Sequence, residues 1–170
     1  YVSIEGRLIR ELRQESQEQL GAKNQEIQEI RTRLEELEEE QLALEASIEA
    51  RIAQREEELR QQLLADIEAE RTRLVRQGVE SEQLAQLLAA FEAERRAFYE
   101  QQLDEYRAEL ERERQTIQAN IDRLRSEYEA RLTELQAERN DILEEFARRE
   151  AQLRAQLQER TLVAAGANQG

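Results

Sequence analysis

The sequence contains no cysteine, no histidine and no proline. Without cysteine it can form neither a disulfide framework nor a reactive thiol. Without histidine and cysteine it lacks the usual ligands of zinc sites and the residues of most nucleophilic triads. The absence of proline, together with only five glycines, leaves few positions at which the chain can turn. These absences argue against most enzyme classes and in favour of long, uninterrupted elements.

Large apolar side chains are also scarce. Aromatic residues make up only 4%, and alanine accounts for much of the 39% that counts as hydrophobic, so a wide compact core is difficult to build. Charged residues reach 38%. A chain rich in Ala, Glu, Leu, Arg and Gln is typical of a long helix or a coiled coil. Disorder is the competing interpretation of such polarity, but the regular apolar spacing described below argues against it.

The formal net charge of −14 makes nucleic-acid binding a poor expectation, since affinity for phosphate backbones comes from clustered Lys and Arg. The acidic run at 35–40 is interpreted as a solvated face rather than a cation site. No glycine-rich loop is present to hold a phosphate. We therefore predict no catalytic residues, no cofactor and no metal, and we expect the chain not to be an enzyme.

Apolar residues recur at alternating intervals of three and four, which is typical of the narrow seam of a coiled coil. Between Leu110 and Leu132 the spacing is closer to eleven residues per three turns, which predicts weak or locally reversed supercoiling. The predicted seam residues are Ile27, Ile30, Leu34, Leu37, Leu44 and Ile48 in the first half and Leu110, Ile117, Ile121, Leu124, Tyr128, Leu132, Leu135, Ile142 and Phe146 in the second.

The pattern is interrupted once, at Gly78. Gly78 fits the left-handed residue that follows a helix, and Val79 fits the apolar position of a Schellman motif that faces Leu74. Ser81 is a suitable N-cap for a second helix. The prediction is a helix over 3–77, a turn at 78–81, a helix over 82–160 and a flexible tail at 161–170. A helix-ending signal at Gly78 and a helix-starting signal at Ser81 are close enough for the short connection of a helical hairpin.

Folding the chain at Gly78 also brings apolar positions of the two halves opposite each other. We therefore predict an all-α fold, a long antiparallel coiled-coil helical hairpin. The alternative is one continuous helix in a coiled-coil dimer, because a glycine inside a helix costs only about 1 kcal/mol relative to alanine. Predicted opposite pairs include Leu74 with Leu84, Ile67 with Phe91, Leu59 with Tyr99, Ile30 with Tyr128 and Leu12 with Phe146.

Two polar residues, Ser16 and Gln41, fall at seam positions, with Gln41 predicted opposite Ile117. Each is either a device that fixes the register of the helices or an ordinary imperfection of a long coiled coil.

The segment around the turn is richer in apolar residues than a two-helix seam can cover. Leu87 and Leu88 are adjacent, so both cannot face one partner helix. This segment is either a locally wider interface or a docking surface for a partner. We call its six candidate residues the turn patch: Val75, Val79, Leu84, Leu87, Leu88 and Phe91. Phe98 and Tyr99 form a similar adjacent pair with one member expected to face outward.

The segment Ile27-Gln-Glu-Ile30-Arg-Thr-Arg-Leu34 resembles the coiled-coil arms of bacterial filament-like scaffolds and of structural-maintenance-of-chromosomes ATPases. The resemblance implies a coiled-coil rod with a structural role. An ATPase arm would connect to a nucleotide-binding head, of which this sequence contains no part, so no functional residue is carried over.

The expected function is that of a rigid spacer, a scaffold or a protein–protein interaction element that binds a protein partner or itself. The alternatives are a holdase-type chaperone, suggested by the apolar turn patch, and the helical arm of a larger ATPase or synthetase. No apolar stretch is long enough to span a bilayer. Because the sequence opens at Tyr1 without methionine, we expect a fragment or processed product. A cytoplasmic location is favoured, unless an upstream signal or membrane anchor has been removed.

Overall fold

The computed structural model describes residues 3–167, except for the side chain of Ala167. Helix α1 spans Ile4–Arg76 and helix α2 spans Ser81–Ala167, and the described residues contain no strand. The two helices pack against each other within one chain. The predicted all-α helical hairpin is therefore confirmed, with both helix boundaries at the turn within one residue of their predicted positions.

The turn is a Schellman motif centred on Gly78. The amide of Gly78 donates to the carbonyl of Val75 over 3.0 Å, and the amide of Val79 donates to the carbonyl of Leu74 over 3.3 Å. Gly78 has a φ of +80°, in the left-handed region that a side chain would disfavour. The predicted role of Gly78 is confirmed. The predicted place of Val79, directly after the left-handed residue of the Schellman motif, is confirmed as well.

The starts of the two helices differ slightly from the prediction. The amide of Leu84 donates to the carbonyl of Glu80 over 2.7 Å, so Glu80 occupies the capping position and Ser81 lies inside α2. The expectation of a cap at Ser81 is thus displaced by one residue. At the start of the other helix, Ser3 caps α1, since its Oγ accepts a hydrogen bond of 3.1 Å from the amide of Gly6.

Helix α2 extends further than predicted. It continues through Ala167, so residues 161–167 are helical and do not begin a tail. Leu157 is buried, and Thr161 Oγ1 donates to its carbonyl over 3.0 Å. The alanines that follow favour helix, and Gly166 alone is too weak a breaker to end it. The remainder of the predicted tail, residues 168–170, lies outside the described residues.

The hairpin divides into two units, each containing a segment of both helices. The turn unit comprises residues 38–122, and the terminal unit comprises residues 1–37 and 123–170, of which 3–37 and 123–167 are described. In the turn unit the least exposed positions of α1 repeat every eleven residues, at intervals of four, four and three. These positions are Leu44, Ile48, Ile52, Arg55, Leu59, Leu63, Asp66, Glu70 and Leu74.

The terminal unit follows a different period. Over 20–37 and 128–146 its least exposed positions alternate between intervals of three and four, which is the seven-residue repeat of an ordinary coiled coil, whereas nearer the chain ends the intervals are again four, four and three. They are Leu20, Lys23, Ile27, Ile30, Leu34 and Leu37 on α1, and Tyr128, Leu132, Leu135, Arg139, Ile142 and Phe146 on α2.

The predicted pairing of the helices holds in both units. Leu59 and Tyr99 line one groove of the turn unit. In the terminal unit, Ile30 lines a groove with Tyr128, and Leu12 lines another with Phe146. These pairs all follow from folding the chain at Gly78.

One predicted seam residue is wrong. Ile117 is 38% exposed, and Gln118 takes the place expected for it opposite Gln41. Gln41 Nε2 donates to Gln118 Oε1 over 2.5 Å, and Arg114 Nη1 lies 3.3 Å from Glu45 Oε1. The reason is the eleven-residue spacing, because intervals of four, four and three from Leu110 lead through 114 and 118 to Ile121.

Candidate interaction surface at the turn

The structure divides the turn patch into seam residues and outward residues. Leu88 is buried at 8% exposure, and Leu74 beside the turn is buried as well. Val79, Leu84 and Phe91 are half-buried along the same interface.

Two of the six residues face solvent. Val75 is 57% exposed and Leu87 is 40% exposed. Val75 directly follows the buried Leu74, and Leu87 directly precedes the buried Leu88. Successive residues of an α-helix point about 100° apart. The adjacent leucines predicted to face different directions therefore do so, and the outward part of the turn patch reduces to Val75 and Leu87.

A third exposed apolar residue lies on α2 beyond the turn patch. Phe98 is 46% exposed and lies eleven residues after Leu87. Because eleven residues make three turns in this part of the hairpin, the two side chains lie on the same side of α2.

The ring of Phe98 is held by its neighbours. The guanidinium carbon of Arg95 lies 4.6 Å from the centroid of the Phe98 ring and 5.0 Å from that of Tyr99. The two rings are 5.4 Å apart in an edge-to-face arrangement. Arg95 therefore forms cation–π contacts with both rings, which restricts the positions that Phe98 can take.

Asp66 on α1 anchors this cluster across the seam. Arg95 Nη2 donates to Asp66 Oδ2 over 3.0 Å and lies 3.1 Å from Tyr99 Oη, while Tyr99 Oη donates to the same carboxylate oxygen. The hydrogen bond from Tyr99 is the main cause that lowers the pKa of Asp66, partial burial opposes it, and Arg95 adds to the lowering. Asp66 therefore stays ionised and links the two helices at this level.

The sequence prediction noticed the Phe98–Tyr99 pair but missed Arg95 and Asp66. A signal was present, since Arg95 and Tyr99 are four residues apart and Asp66 lies nearly opposite them when the chain is folded at Gly78. The cluster gives the outward face of the turn unit an aromatic residue in a defined position.

Among the described residues, no group of three or more acidic, histidine or cysteine side chains is arranged to hold a metal ion. Neither helix contains, within the part described, a stretch apolar and long enough to cross a membrane.

Comparison with known proteins gives no match among family models, curated proteins or solved structures.

Proposed function

We propose that the chain is a non-enzymatic coiled-coil element that presents an apolar surface of its turn unit to a protein partner. The observation that carries this proposal is the exposure of Leu87 and Phe98 on one side of α2, although Leu74 and Leu88 already complete the seam. Residues needed only for pairing the helices would be buried. Leu87 and Phe98 are not, and Arg95 keeps Phe98 in place.

The chemistry of this surface suits a protein partner. Aromatic residues and arginine are enriched among the residues that dominate binding energy at protein interfaces. Here an aromatic ring and an aliphatic side chain are about three helical turns apart, which matches one face of a docking helix. The hairpin supplies a preorganised support, since Asp66 ties α1 to the cluster by hydrogen bonds.

The test compares two variants that carry acidic substitutions at exposed apolar residues. Leu87→Glu combined with Phe98→Glu changes the proposed surface, and Leu143→Glu changes a residue of the terminal unit that is 48% exposed. Proteins bound by the wild-type chain in its source cells are identified, purified and titrated against each variant. We expect the double variant to lose about 2 kcal/mol or more of binding, about thirtyfold in affinity, while the control binds as the wild type does.

Two results would contradict the proposal. One is an unchanged affinity of every partner for the double variant, provided its helicity is intact by circular dichroism. The other is an equal loss of affinity in Leu143→Glu, which would mean that general surface charge governs binding.

A second candidate, a holdase-type chaperone, is favoured by the same exposure of Leu87 and Phe98. Exposed apolar side chains of this kind can bind the apolar segments of unfolded chains. Light scattering of an aggregating client separates the two functions. Suppression at stoichiometric amounts by the wild type, lost in Leu87→Glu with Phe98→Glu, supports the holdase, and no suppression by the wild type excludes it.

A further inference from the structure

The outward side of α1 in the turn unit carries a regular row of apolar residues. Leu42 is 72% exposed, Leu64 is 53% exposed and Val75 is 57% exposed. Ala53 is also exposed and lies midway between the first two. Neighbouring members are eleven residues apart, so we call the four residues the outer stripe: Leu42, Ala53, Leu64 and Val75.

The period of the seam explains why these residues align. Eleven residues make three turns when the buried positions repeat at four, four and three, so residues eleven apart face the same way. Leu64 and Val75 directly follow the seam residues Leu63 and Leu74. One residue turns the helix by about 100°, which carries the outer stripe away from α2.

Charged residues border Leu64 and Val75 with opposite signs on the two sides of the outer stripe, whereas the corresponding positions beside Leu42 and Ala53 carry Glu38 and Glu49 on one side and Glu35 and Ala46 on the other. Arg60 and Arg71 precede Leu64 and Val75 by four residues, and Glu57 and Glu68 precede them by seven. At three turns per eleven residues, these offsets place the arginines on one side and the glutamates on the other. Each arginine reaches across to a glutamate of its own helix, at 2.5 Å for Arg60–Glu57 and 3.8 Å for Arg71–Glu68.

We propose that the outer stripe packs against the outer stripe of a second copy of this chain, with the two α1 helices parallel. A two-fold axis along parallel helices brings the arginine side of one copy against the glutamate side of the other. An antiparallel pair with residue 42 opposite residue 75 would instead place Arg60 against Arg60 and Glu57 against Glu57, although it would bring Arg71 near Glu49. A parallel pair joins both arginines to glutamates, with Glu38 beside Glu35 near Leu42 as its one like-charge contact. The charges beside Leu64 and Val75 therefore favour a parallel second copy.

A second copy also matches the eleven-residue repeat of the outer stripe. A helix with a seven-residue repeat drifts out of line with an eleven-residue stripe, whereas a second copy repeats at the same interval over the whole contact. Ala53 allows the two backbones to approach closely between the larger side chains. With only three large apolar residues per copy, the contact is of the small, transient class, and the pairing depends on concentration.

This inference goes beyond the proposed partner surface and does not rest on it. Leu42 and Leu64 lie outside the turn patch, so variants at these positions test self-association alone. Conversely, Leu87→Glu with Phe98→Glu should leave self-association unchanged, which keeps the failure of one proposal distinct from the failure of the other.

The absence of natural cysteine allows a direct test of the parallel arrangement. In a parallel pair, two copies of Leu42→Cys bring their thiols together. In an antiparallel pair, residue 42 of one copy lies opposite residue 75 of the other, so only a mixture of Leu42→Cys and Val75→Cys would link. Leu143→Cys, at an exposed position of the terminal unit, measures random collision.

We expect Leu42→Cys to form a disulfide-linked dimer at least about tenfold faster than Leu143→Cys, because pairing raises the local thiol concentration. Equal rates for the two variants would overturn the pairing. Preferential linkage in the mixture of Leu42→Cys and Val75→Cys, with little self-linkage of either, would overturn the parallel direction. Circular dichroism of each variant verifies that the helices are intact.

A charge exchange tests the same inference without cysteine. Arg60→Glu with Arg71→Glu makes both sides of the stripe acidic, and we expect the dissociation constant of the pair to rise at least about tenfold in sedimentation experiments. Adding Glu57→Arg and Glu68→Arg restores opposite signs and should restore the wild-type value. Failure of the four-residue exchange to recover association, in a chain that remains helical, would contradict the proposed charge pairing.

Discussion

The terminal unit and the turn unit are built from the same kinds of residue but repeat differently. In the terminal unit a seven-residue repeat keeps the apolar residues of α1 in one seam, and no large apolar side chain is exposed on α1 between Ile9 and Leu37. In the turn unit an eleven-residue repeat leaves Leu42, Leu64 and Val75 exposed on α1 and Leu87, Phe98 and Ile117 exposed on α2. The terminal unit exposes apolar side chains too, at Ile4, Leu8, Leu143, Leu162 and Val163. The change of period therefore accounts for the difference on α1 between Ile9 and Val75, and not for every exposed apolar residue.

The seams of both units also contain polar layers. The turn unit places Gln41 against Gln118 and Glu45 against Arg114. The terminal unit places Lys23 at a seam position, where its Nζ lies 2.8 Å from Glu138 Oε2, and Arg131 lies 3.6 Å from Glu26. The hydrogen bond to Glu138 raises the pKa of Lys23, and the same bond lowers the pKa of Glu138. The polar layers therefore restrict the register in both units, with an uncharged amide pair in the turn unit and an ion pair in the terminal unit.

The largest effects are expected from truncating one buried seam leucine in each unit. Leu110 and Leu135 are each 1% exposed, and their substitution by alanine should cost about 2–4 kcal/mol of unfolding free energy. Hydrogen exchange should increase mainly within the turn unit for Leu110→Ala and mainly within the terminal unit for Leu135→Ala. Leu143→Ala, at an exposed position, serves as control and should change stability by less than about 0.5 kcal/mol.

The comparison would fail if both truncations raised exchange equally in the two units, since the units would then not behave as separate packing regions.

The stability of the protein should respond with opposite signs to alanine at the turn glycine and at a glycine inside α1. Gly78→Ala should destabilise the turn unit by about 1–2 kcal/mol, because an alanine at a φ of +80° is strained even though its Cβ meets no atom. Gly21→Ala in the terminal unit should stabilise by about 0.5–1 kcal/mol, because Gly21 lies inside α1 with open space around it. Chemical denaturation measures both. A stabilising Gly78→Ala would show that the chain does not turn at this residue.

Removing the glutamine layer should make the seam of the turn unit more apolar. Gln41 Oε1 is buried without a hydrogen-bond partner, which costs free energy. We expect Gln41→Leu combined with Gln118→Leu to raise the unfolding free energy by about 1 kcal/mol.

The single variant Gln41→Leu is the matched control, and it should gain less because it leaves Gln118 without its partner. A loss of stability in the double variant would mean that the glutamine pair contributes more to folding than apolar packing at this layer does.

An effect as small as that of the glutamine exchange is expected from Tyr99→Phe, which removes one hydrogen bond to Asp66. The stability difference between wild type and variant should be about 1 kcal/mol near neutral pH. Because folding lowers the pKa of Asp66, its contribution is fully present above the ordinary aspartate pKa of about 3.9 and is lost as the pH falls through the folded value. The difference should therefore shrink on acidification.

Denaturation curves of both proteins across the acidic range measure this change. A difference that is independent of pH would show that the Tyr99 hydroxyl does not interact with the Asp66 carboxylate.

The sequence predicted the hairpin because its main signals are local. The left-handed Gly78, the apolar Val79 and the mirrored apolar positions all followed from short-range rules, and the structure confirms them. The predicted end of α2 at residue 160 is wrong, because the helix-forming residues of 161–167 continue the helix in spite of Gly166.

The surfaces were harder to predict than the fold. Whether Leu87 or Leu88 faces outward, and whether Ile117 or Gln118 enters the seam, depends on a local period that changes between the two units. An apolar residue was assumed to take the seam position, but spacing placed a glutamine there. Arg95 and Asp66 come from opposite helices, so their contact is recognised only once the chain is folded at Gly78.

The most direct test of this register uses two cysteine pairs in the same chain. Gln41→Cys with Gln118→Cys should be joined within one molecule by a short bifunctional thiol reagent at low protein concentration, giving a cross-linked monomer. Leu42→Cys with Ile117→Cys should give little of that product, because both side chains face away from the seam. Cross-linked dimers in place of monomers from Gln41→Cys with Gln118→Cys, or preferential linkage within one molecule of the second pair, would contradict the antiparallel hairpin and its register.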